Sequence, residues 1–379
     1  MIRASIPNPR LSVSRGGLEL LAALVVLTLG VLVPSRSAAQ GLGLRDGVPQ
    51  DGAVHILHVR GPIYMLVGAG GNITVSVGED GVMMVDTGLE AMADKVLAAV
   101  RELQRETATN GISQLRFGAE TRSSVRAILD TDAPPKPIRY IVNTHLHADH
   151  TGGNEKFAKV GRTLTGGNVA GDLANAAEGA AIISQQNVLD RMSKPRAANQ
   201  PAIPFDALPT ETFHRDVKLS HFFNAEGVHL IHQPAAHTDG DTIVYFRGSD
   251  VISTGDIFVT NSYPVIDLAN GGSVNGTIQA LNNILDLAIA EFRLEGGTMI
   301  IPGHGRLADS ADLAYYRDMV TIVRDRIQDM LKRDMTLEQV KAARPTRDYD
   351  PRYGATSGVW TADAFVETVY RSLAAERKK

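Results

Sequence analysis

The chain contains no cysteine and has no excess of basic side chains, and each absence excludes something. Without cysteine no disulfide can form, so stability must come from packing and from any bound metal. The 379 residues carry 38 basic and 42 acidic side chains, a formal net charge of −4. This balance disfavours binding to nucleic acid through phosphate neutralisation. The rest of the composition, 44% hydrophobic and 21% charged, is ordinary for a globular protein.

The first 39 residues have the layout of a secretory signal peptide. Three arginines precede an apolar run from Leu18 to Val33, and Ser37 and Ala39 then offer a cleavage site before Gln40. Cleavage would remove four arginines and one glutamate, leaving 34 basic and 41 acidic side chains and a formal charge of −7. We therefore predict an exported protein, periplasmic or secreted. The alternative is an uncleaved membrane anchor, because the apolar run approaches the roughly 17-residue lower limit for a membrane span.

The most informative stretch is the six-residue segment His145–His150, which reads His-Leu-His-Ala-Asp-His and follows a strand-like run. Its three imidazoles and one carboxylate are ligands that suit zinc or iron. Three further candidates, His237, Asp256 and His304, each follow an apolar run and lie among small residues, where the backbone can turn tightly. A polar loop with chance histidines would not explain these downstream matches. We predict a site for two metal ions.

These motifs resemble those of the metallo-β-lactamase-fold hydrolase superfamily, in family order from about Gly71 to His304. The resemblance implies an α+β fold, the four-layered αββα sandwich, with the metals at one end of two packed sheets. It also implies two groups of ligands joined by a bridging Asp256. The first group is His145, His147 and His237, and the second is Asp149, His150 and His304. Asp86 would steady the metal loop from behind the ligands or cap the helix that follows.

The same resemblance implies a zinc-dependent hydrolase, with iron or manganese as alternative metals. Two ions would share a hydroxide that attacks the carbonyl carbon of an ester, lactone, thioester or related amide, and Asp149 would orient it. β-Lactamase activity is the first alternative. However, Asp256 and Val259 stand where cysteine-using β-lactamases carry a cysteine and, three positions later, a lysine. An iron-dependent oxidoreductase and a non-catalytic binding protein remain open as other classes.

Contacts with a small-molecule substrate are expected on loops near the metals. Four residues are candidates by their position in the chain: Tyr64, Tyr263, Asn275 and Arg306. Arg306 can hold a substrate carboxylate or form a surface salt bridge. Phe205, in a proline-rich stretch, can line the pocket or simply pack. We expect no nucleic acid partner, no stable membrane association after cleavage, and either a monomer or a homodimer.

Composition and hydrophobic pattern divide the chain into four parts. Residues 1–39 are the signal peptide, 40–52 a flexible lead-in, 53–310 the catalytic domain and 311–379 a C-terminal helical extension. Within the domain, helices are predicted at Met92–Leu103, Asn154–Val160, Ala181–Met192 and Ile278–Phe292, polar insertions at 104–120 and 161–180, and a strand at Phe213–Leu219. In the extension, an apolar stripe at three- and four-residue spacing predicts helices that pack on the sandwich or form a dimer surface.

Overall fold

The described part of the chain is Pro49 and residues 51–113, 136–162, 179–194, 201–218, 223–288, 296–355 and 358–377 of a computed structural model. All of these residues belong to the unit Arg45–Lys379. The predicted signal peptide, most of the lead-in and most of the predicted insertion at 161–180 lie outside the described residues. Among the described helices, none is both long and apolar enough to cross a membrane.

The first sheet has seven strands whose spatial order follows the chain. They are β1 His55–Arg60, β2 Ile63–Val67, β3 Ile73–Gly78, β4 Gly81–Val85, β5 Ile138–Val142, β6 Ala181–Gln185 and β7 Glu211–Phe213. Strands β1 to β4 pair antiparallel, whereas β4 to β7 run parallel. Only Glu79 and Asp80 separate β3 from β4, and Gly81 follows with a φ of +128°, a conformation that favours glycine. The two strands thus form a tight hairpin, which an Asp-Gly pair between apolar runs favours.

The second sheet has five strands in the order β12-β11-β10-β9-β8. They are β8 Val217–Lys218, β9 Val228–Gln233, β10 Asp241–Phe246, β11 Val251–Ser253 and β12 Met299–Ile301. Strands β8 to β11 pair antiparallel, and β12 adds to β11 in parallel. The ends of β9, β11 and β12 therefore send their following loops toward the same edge as β4 and β5 of the first sheet, where their ligand-bearing side chains meet.

Helices cover both outer faces of the paired sheets. In the described residues they are α1 Ala93–Ser113, α2 Ala148–Thr151, α3 Asn154–Val160, α4 Gln186–Met192, α5 Val274–Ala288, α6 Ser310–Lys332, α7 Leu337–Ala342, α8 Asp350–Tyr353 and α9 Ala362–Glu376. The α3 bounds match the prediction. α5 begins four residues before its predicted start at Ile278, and residues 289–292 of that prediction lie outside the described part.

Three hydrophobic clusters fill the spaces between four layers. On the outer face of the first sheet, Val75 packs with Val100 of α1 and Phe157 of α3. Between the sheets, Met83 of β4 and Phe246 of β10 belong to one buried cluster. α5, α6 and α9 cover the second sheet through the third cluster. Each large apolar side chain buried in this way contributes about 1.5–3 kcal/mol relative to exposure. The predicted αββα sandwich is confirmed.

One predicted helix is wrong in its first half. Residues Ala181–Gln185 form strand β6, paired in parallel with β5 and β7, and only Gln186–Met192 is helical. All five residues of β6 are buried. A strand covered on both faces shows no alternation of apolar and polar residues, so periodicity cannot distinguish it from the start of a helix.

Two further boundaries differ from the prediction. α1 continues to Ser113, past its predicted end at Leu103 and into the predicted insertion. The apolar stripe ends at Leu103, but the next residues, Gln-Arg-Glu-Thr-Ala, include good helix formers that extend the helix without an apolar face. The strand predicted at Phe213–Leu219 is divided, because Phe213 ends β7 of the first sheet and Val217 begins β8 of the second. The chain crosses between the sheets at this point.

The helices after His304 pack on the second sheet. Asp309 caps α6, since its carboxylate accepts hydrogen bonds of 2.9 Å from the backbone N–H groups of Ala311 and Asp312. Thr336 and Gln339 form a capping box at the start of α7. Buried side chains of α6 and α9 share one core cluster with β10, β11 and β12.

Candidate metal centre

All seven predicted ligands lie on loops or a short helix that directly follow a strand. The segment His145–His150 begins three residues after the end of β5, and its last three residues lie in α2. His237, Asp256 and His304 follow the ends of β9, β11 and β12 by three or four residues. Loops at strand ends can present side chains while the sheets hold their anchor points fixed. The two sheets thereby bring residues that are up to 159 positions apart in sequence to one edge.

The seven side chains form two groups, and in each group the ligand atoms lie within 4.8 Å of one another. In the first group, His147 Nδ1 is 2.9 Å from His237 Nε2, and the His145 ring centroid is 4.7 Å from that of His237. In the second group, His304 Nε2 is 3.2 Å from Asp149 Oδ2 and 3.4 Å from His150 Nε2. The structure therefore brings together every ligand that the sequence predicted.

Asp256 lies between the two groups and directs one carboxylate oxygen toward each. Its Oδ1 atom is 3.2 Å from His150 Nε2 and 3.5 Å from His304 Nε2. Its Oδ2 atom is 3.9 Å from His237 Nε2. This placement is what a carboxylate that bridges two cations requires.

The hydrogen bonds of four imidazoles determine which nitrogen faces the centre. The Nδ1 atoms of three rings have partners behind them: His145 bonds Thr144 Oγ1 at 3.0 Å, His150 bonds Asp86 Oδ2 at 2.8 Å and His237 donates to the Val265 carbonyl at 2.6 Å. Each of these rings can therefore offer a lone pair on Nε2. His147 is reversed: its Nε2 contacts Asp267 Oδ2 at 3.0 Å, and its Nδ1 faces the first group.

One buried nitrogen atom indicates that this set of donors fits metal ions. His145 Nε2 is buried and has no hydrogen-bond partner among the described residues, although a buried polar atom is normally satisfied. It belongs to a group in which two other imidazole nitrogens and a carboxylate oxygen converge. Three or four nitrogen and oxygen donors per group suit zinc with one coordination position left open.

Charges inside the centre are strongly coupled. Burial opposes ionisation of Asp256, but the neighbouring His304 and His150 outweigh it and hold the pKa of the Asp256 carboxyl well below its usual range. Burial, together with the neighbouring His150 and His237, holds the pKa of His145 well below its usual value. For His304, burial acts in the same direction, but Asp256 and Asp149 overcome it and raise the pKa to about 9. The raised pKa favours the protonated form of His304 in the metal-free centre at neutral pH. Burial also opposes the charge of His150, but Asp256 and Asp86 raise its pKa well above its usual value.

These protons predict how metal binding depends on pH. Because His304 and His150 must lose their protons to bind a metal, we expect the apparent metal affinity to rise with pH through the neutral range and up to at least about pH 9. In the metal-free protein, the stability of the fold depends on pH in the opposite direction. The raised pKa means that the contacts of His304 with Asp256 and Asp149 stabilise the fold below the usual histidine pKa and lose that effect as the pH rises through about 9. Metal titrations against a chelator across this pH range test the prediction. His304→Ala is the control, and its affinity should depend less steeply on pH. A metal affinity that does not change with pH would contradict the prediction.

Asp86 supports the ligands from behind, as predicted. Its Oδ1 accepts a hydrogen bond of 2.8 Å from the backbone N–H of Thr144, and its Oδ2 contacts both Thr144 Oγ1 at 2.7 Å and His150 Nδ1 at 2.8 Å. One buried carboxylate thus fixes the rings of His145, through Thr144, and of His150. Asp86 adopts a φ of +65°, an uncommon backbone conformation for a residue other than glycine. Since its carboxylate makes no contact with the α1 N-terminus among the described hydrogen bonds, the support of the metal loop is its observed role.

Asp267 is a functional residue that the sequence analysis missed. Its Oδ2 atom contacts His147 Nε2 at 3.0 Å, and this hydrogen bond from His147, aided by Asn270, holds the pKa of the Asp267 carboxyl far below its usual range. Asp267 follows no strand and belongs to no recognisable motif. The only signal in the sequence is that Asp267 lies in the stretch that follows Asp256.

Two glycines leave space that the ligands occupy. A Cβ atom on Gly71 would lie 2.3 Å from Cε1 of the His150 ring. A Cβ atom on Gly303 would lie 2.0 Å from Asp256 Oδ1 and 2.6 Å from the backbone carbon of Gly255. Real Cβ atoms do not approach other atoms so closely, so these positions accept only glycine unless the ligands move.

We expect Gly303→Ala to displace the Asp256 carboxylate. Because two backbone atoms also lie within 3.0 Å of the new methyl group, the side chain cannot simply rotate around it. The expected result is a protein that folds but binds its metals about 10–100-fold more weakly, the usual cost of disturbing the support of a metal ligand. Metal content after dialysis and the circular dichroism of the metal-free variant measure the two effects separately. Wild-type metal content in the variant would contradict the prediction.

The four predicted substrate contacts lie elsewhere or have other partners. The Tyr263 ring is buried and stacks on Phe365, and its hydroxyl bonds Asp350 Oδ1 at 2.9 Å. Asn275 bonds Glu376 and Arg324 and so joins α5 to α9 and α6. Arg306 forms a two-pronged salt bridge with Asp312, at 2.8 and 2.6 Å. The alternative interpretation of Arg306 as a salt-bridge residue is therefore the observed one.

The two remaining candidates, Tyr64 and Phe205, lie in other surroundings. Tyr64 packs with the cluster on the outer face of the first sheet, and its ring centroid is 4.9 Å from that of His58. Even-numbered positions of β2 face this outer cluster, whereas Met65 faces the second sheet. Phe205 is 86% exposed, so it does not pack into the core.

Comparison with known proteins identifies the family. The model of the metallo-β-lactamase superfamily matches residues 66–304, a range that contains all seven ligands. The chain therefore belongs to the metallo-β-lactamase superfamily. Members of this superfamily typically bind metal ions and are mostly metal-dependent hydrolases. No curated protein sequence matches the chain.

The chain is similar to several solved structures at low identity. The DIM-1 metallo-beta-lactamase is 14% identical, with 71% of this chain and 97% of that chain covered and a TM-score of 0.45. A metallo-beta-lactamase from Pontibacter korlensis is 13% identical, with 71% and 99% covered and a TM-score of 0.44. The inverting sec-alkylsulfatase Pisa1 from Pseudomonas sp. is 14% identical and has a TM-score of 0.52, with 84% of this chain and 50% of that chain covered. This chain therefore spans half the length of the alkylsulfatase, and at this identity the likeness concerns the fold alone.

Proposed function

We propose that the protein is a binuclear metal-dependent hydrolase that attacks the carbonyl carbon of an ester, lactone, thioester or related amide. The observation that carries the proposal is the position of Asp256, which directs one carboxylate oxygen toward each of two complete ligand groups. We propose zinc as the metal in both groups, because nitrogen donors predominate, with iron or manganese as alternatives at one or both positions. When bound, two such ions supply an activated water and positive charge for the oxygen that becomes negative during the attack.

The burial of the ligands supports a division of roles among them. The side chains of His145, His150 and His237 are at most 1% exposed and form the floor of the centre. Asp149 is 35% exposed and His304 is 30% exposed, so these two border the open side that a substrate can approach. A group that orients the attacking water and transfers its proton must lie on that side.

We assign this proton-transfer role to Asp149. Burial raises its pKa, but His304 and His150 outweigh that effect and keep the Asp149 pKa below its usual value, so the carboxylate is ionised and can accept a proton. In the hydrolysis of an ester, the water adds its oxygen to the carbonyl carbon, the bond to the leaving alcohol breaks, and the proton of the water passes through Asp149 to the alcohol. No serine or cysteine nucleophile is needed.

The environment of Val259 weighs against the β-lactamase alternative. Val259 is buried in the core of the second sheet and pairs through its backbone with His304. It therefore presents no cation beside the centre, where a β-lactam carboxylate would need one. Arg306, a cation two residues after His304, forms a salt bridge with Asp312.

A substrate panel tests the proposed function. The zinc-loaded protein would be assayed with lactones, aryl and alkyl esters, thioesters, β-lactams and secondary alkyl sulfates, with His145→Ala purified in parallel to reveal contaminating activity. Hydrolysis of a carbonyl substrate other than a β-lactam by the wild type alone supports the proposal. Turnover of only alkyl sulfates or only β-lactams contradicts the proposed substrate class. Preferential loading with iron and an oxidative product would instead identify an oxidoreductase.

Export is a separate proposal that follows from the arginine-flanked apolar run and the Ser37-x-Ala39 pattern. We expect a mature protein that begins at or near Gln40, in the periplasm or outside the cell, acting on a small molecule and not on nucleic acid. Intact-mass measurement of the native protein after cell fractionation checks this. Ala39→Arg should block cleavage and leave a longer, membrane-bound chain, whereas a wild-type chain with Met1 intact in the membrane fraction would identify an anchor.

A further inference from the structure

Two loops beside His147, one of which carries the first-group ligand His237, are joined by hydrogen bonds. The loop that carries His237 and the loop that carries Asp267 are joined by backbone hydrogen bonds, from Asp267 N to the His237 carbonyl at 2.9 Å and from Asp239 N to the Asn270 carbonyl at 3.0 Å. Neither loop contains a ligand of the second group. Whatever fixes these loops therefore affects one half of the centre.

Arg191 of α4 fastens both loops through its side chain. Its Nε and one terminal nitrogen bond the two oxygens of Asp239 at 2.8 and 2.5 Å, and its other terminal nitrogen donates to Asn270 Oδ1 at 2.8 Å. A planar guanidinium can make these three hydrogen bonds at once, and a lysine ammonium cannot reproduce their geometry. The contact with Asp239 holds the His237 loop, and the contact with Asn270 holds the loop of Asp267.

The hydrogen bond to Asn270 also determines which nitrogen of His147 faces the metal. Because Asn270 Oδ1 accepts from Arg191, its Nδ2 must point the other way, and it donates to Asp267 Oδ2 at 2.7 Å. The same Asp267 oxygen lies 3.0 Å from His147 Nε2. A proton held on Nε2 by this carboxylate leaves the lone pair of His147 on Nδ1, the atom that faces His237.

We propose that Arg191 is a positioning residue for the first metal alone, acting through Asn270 and Asp267 on His147 and through Asp239 on His237. The proposal rests on the proposed function, since it requires that the first group binds a metal. It assigns a role to a residue that lies outside every motif and 41 positions after His150, the last ligand of the metal loop. The second group, Asp149, His150 and His304, has separate support from Asp86 and contacts none of these residues among the described hydrogen bonds.

The test is a cobalt titration of the metal-free protein with Arg191→Met, which keeps the apolar stem and removes all three hydrogen bonds. Two reference variants identify the sites by absorption spectrum: His237→Ala for loss of the first and His304→Ala for loss of the second. We expect Arg191→Met to bind the first metal about tenfold more weakly, at the lower end of the range for residues behind a ligand, with the second affinity unchanged. Arg191→Lys should behave like Arg191→Met, because it retains the charge and lacks the geometry.

Further readouts separate this role from general support of the fold. Arg326→Met is the matched control, because Arg326 also joins a carboxylate, Asp348, and a loop carbonyl, Pro345, but lies in the C-terminal helices. The imidazole N–H signal of His147 in the zinc-loaded protein should shift in Arg191→Met and not in Arg326→Met. Equal losses at both metals, or wild-type affinity at the first, would overturn the proposal. If the wild type itself binds fewer than two metals, the proposed function fails instead.

Discussion

Replacing His237 with alanine is expected to remove the first metal and to lower kcat/KM by more than about a hundredfold. Loss of a residue behind a ligand already costs 10–100-fold in affinity or activity, and His237 is itself a proposed ligand. The variant loses the Nε2 atom that lies 2.9 Å from His147 Nδ1. The Val265 carbonyl also loses the hydrogen bond that His237 Nδ1 donates to it in the wild type. Metal content by elemental analysis and kcat/KM on the substrate found in the panel measure both effects.

A second histidine provides the control for this experiment. The His55 side chain is 43% exposed and contacts only Asp51 in the described side-chain hydrogen bonds and ion pairs, so His55→Ala should retain two metals and full activity. The wild type should lose activity on exhaustive chelation and regain it when zinc is returned. Full activity of the chelated protein or of His237→Ala would show that the reaction does not depend on this centre.

The ligands could be predicted from the sequence because metal chemistry restricts the residue types. Few side chains other than histidine and aspartate supply the required donors, so His145, His147 and His150 stand out within six residues. Asp267 supplies a hydrogen bond to His147, and many polar residues could do the same from many positions. The pairing becomes visible only when the chain brings position 267 to within 3.0 Å of position 147.

The substrate contacts could not be predicted, because closeness to Asp256 in the sequence does not determine where a side chain points. Tyr263 and Asn275 follow Asp256 closely, yet the helices after His304 cover them: Tyr263 stacks on Phe365, and Asn275 bonds Glu376. The same helices were recognised in the sequence by their apolar stripe. That stripe indicates a buried face and does not reveal which loop it buries.

The errors in the predicted secondary structure have a similar origin. Periodicity located α3 correctly, because its boundaries in the sequence are clear. It misassigned Ala181–Gln185, since burial on both faces of β6 removes the alternation that marks a strand. It also ended α1 at Leu103, where the apolar face ends, although helix propensity carries the helix on to Ser113.

Replacing Asp256 with asparagine is expected to separate the two halves of the centre. Asparagine keeps the size of the side chain but presents one oxygen and one NH2 group. Whichever way the amide turns, its NH2 group faces either His150 and His304 or His237, where Asp256 now directs its Oδ1 and Oδ2 atoms. One group therefore loses a ligand atom, and the negative charge that draws two cations together is lost.

The expected result of Asp256→Asn is one tightly bound metal per chain and a fall in kcat of about a hundredfold or more, with little change in KM, because the loss falls on the reaction and not on substrate contacts. Metal titration and steady-state kinetics measure these quantities. Asp309→Asn is the matched control, since asparagine caps a helix as well as aspartate does and Asp309 only caps α6. Asp256→Cys should remain a poor β-lactamase, because Val259 supplies no cation. Unchanged metal content and rate in Asp256→Asn would show that another residue joins the two groups.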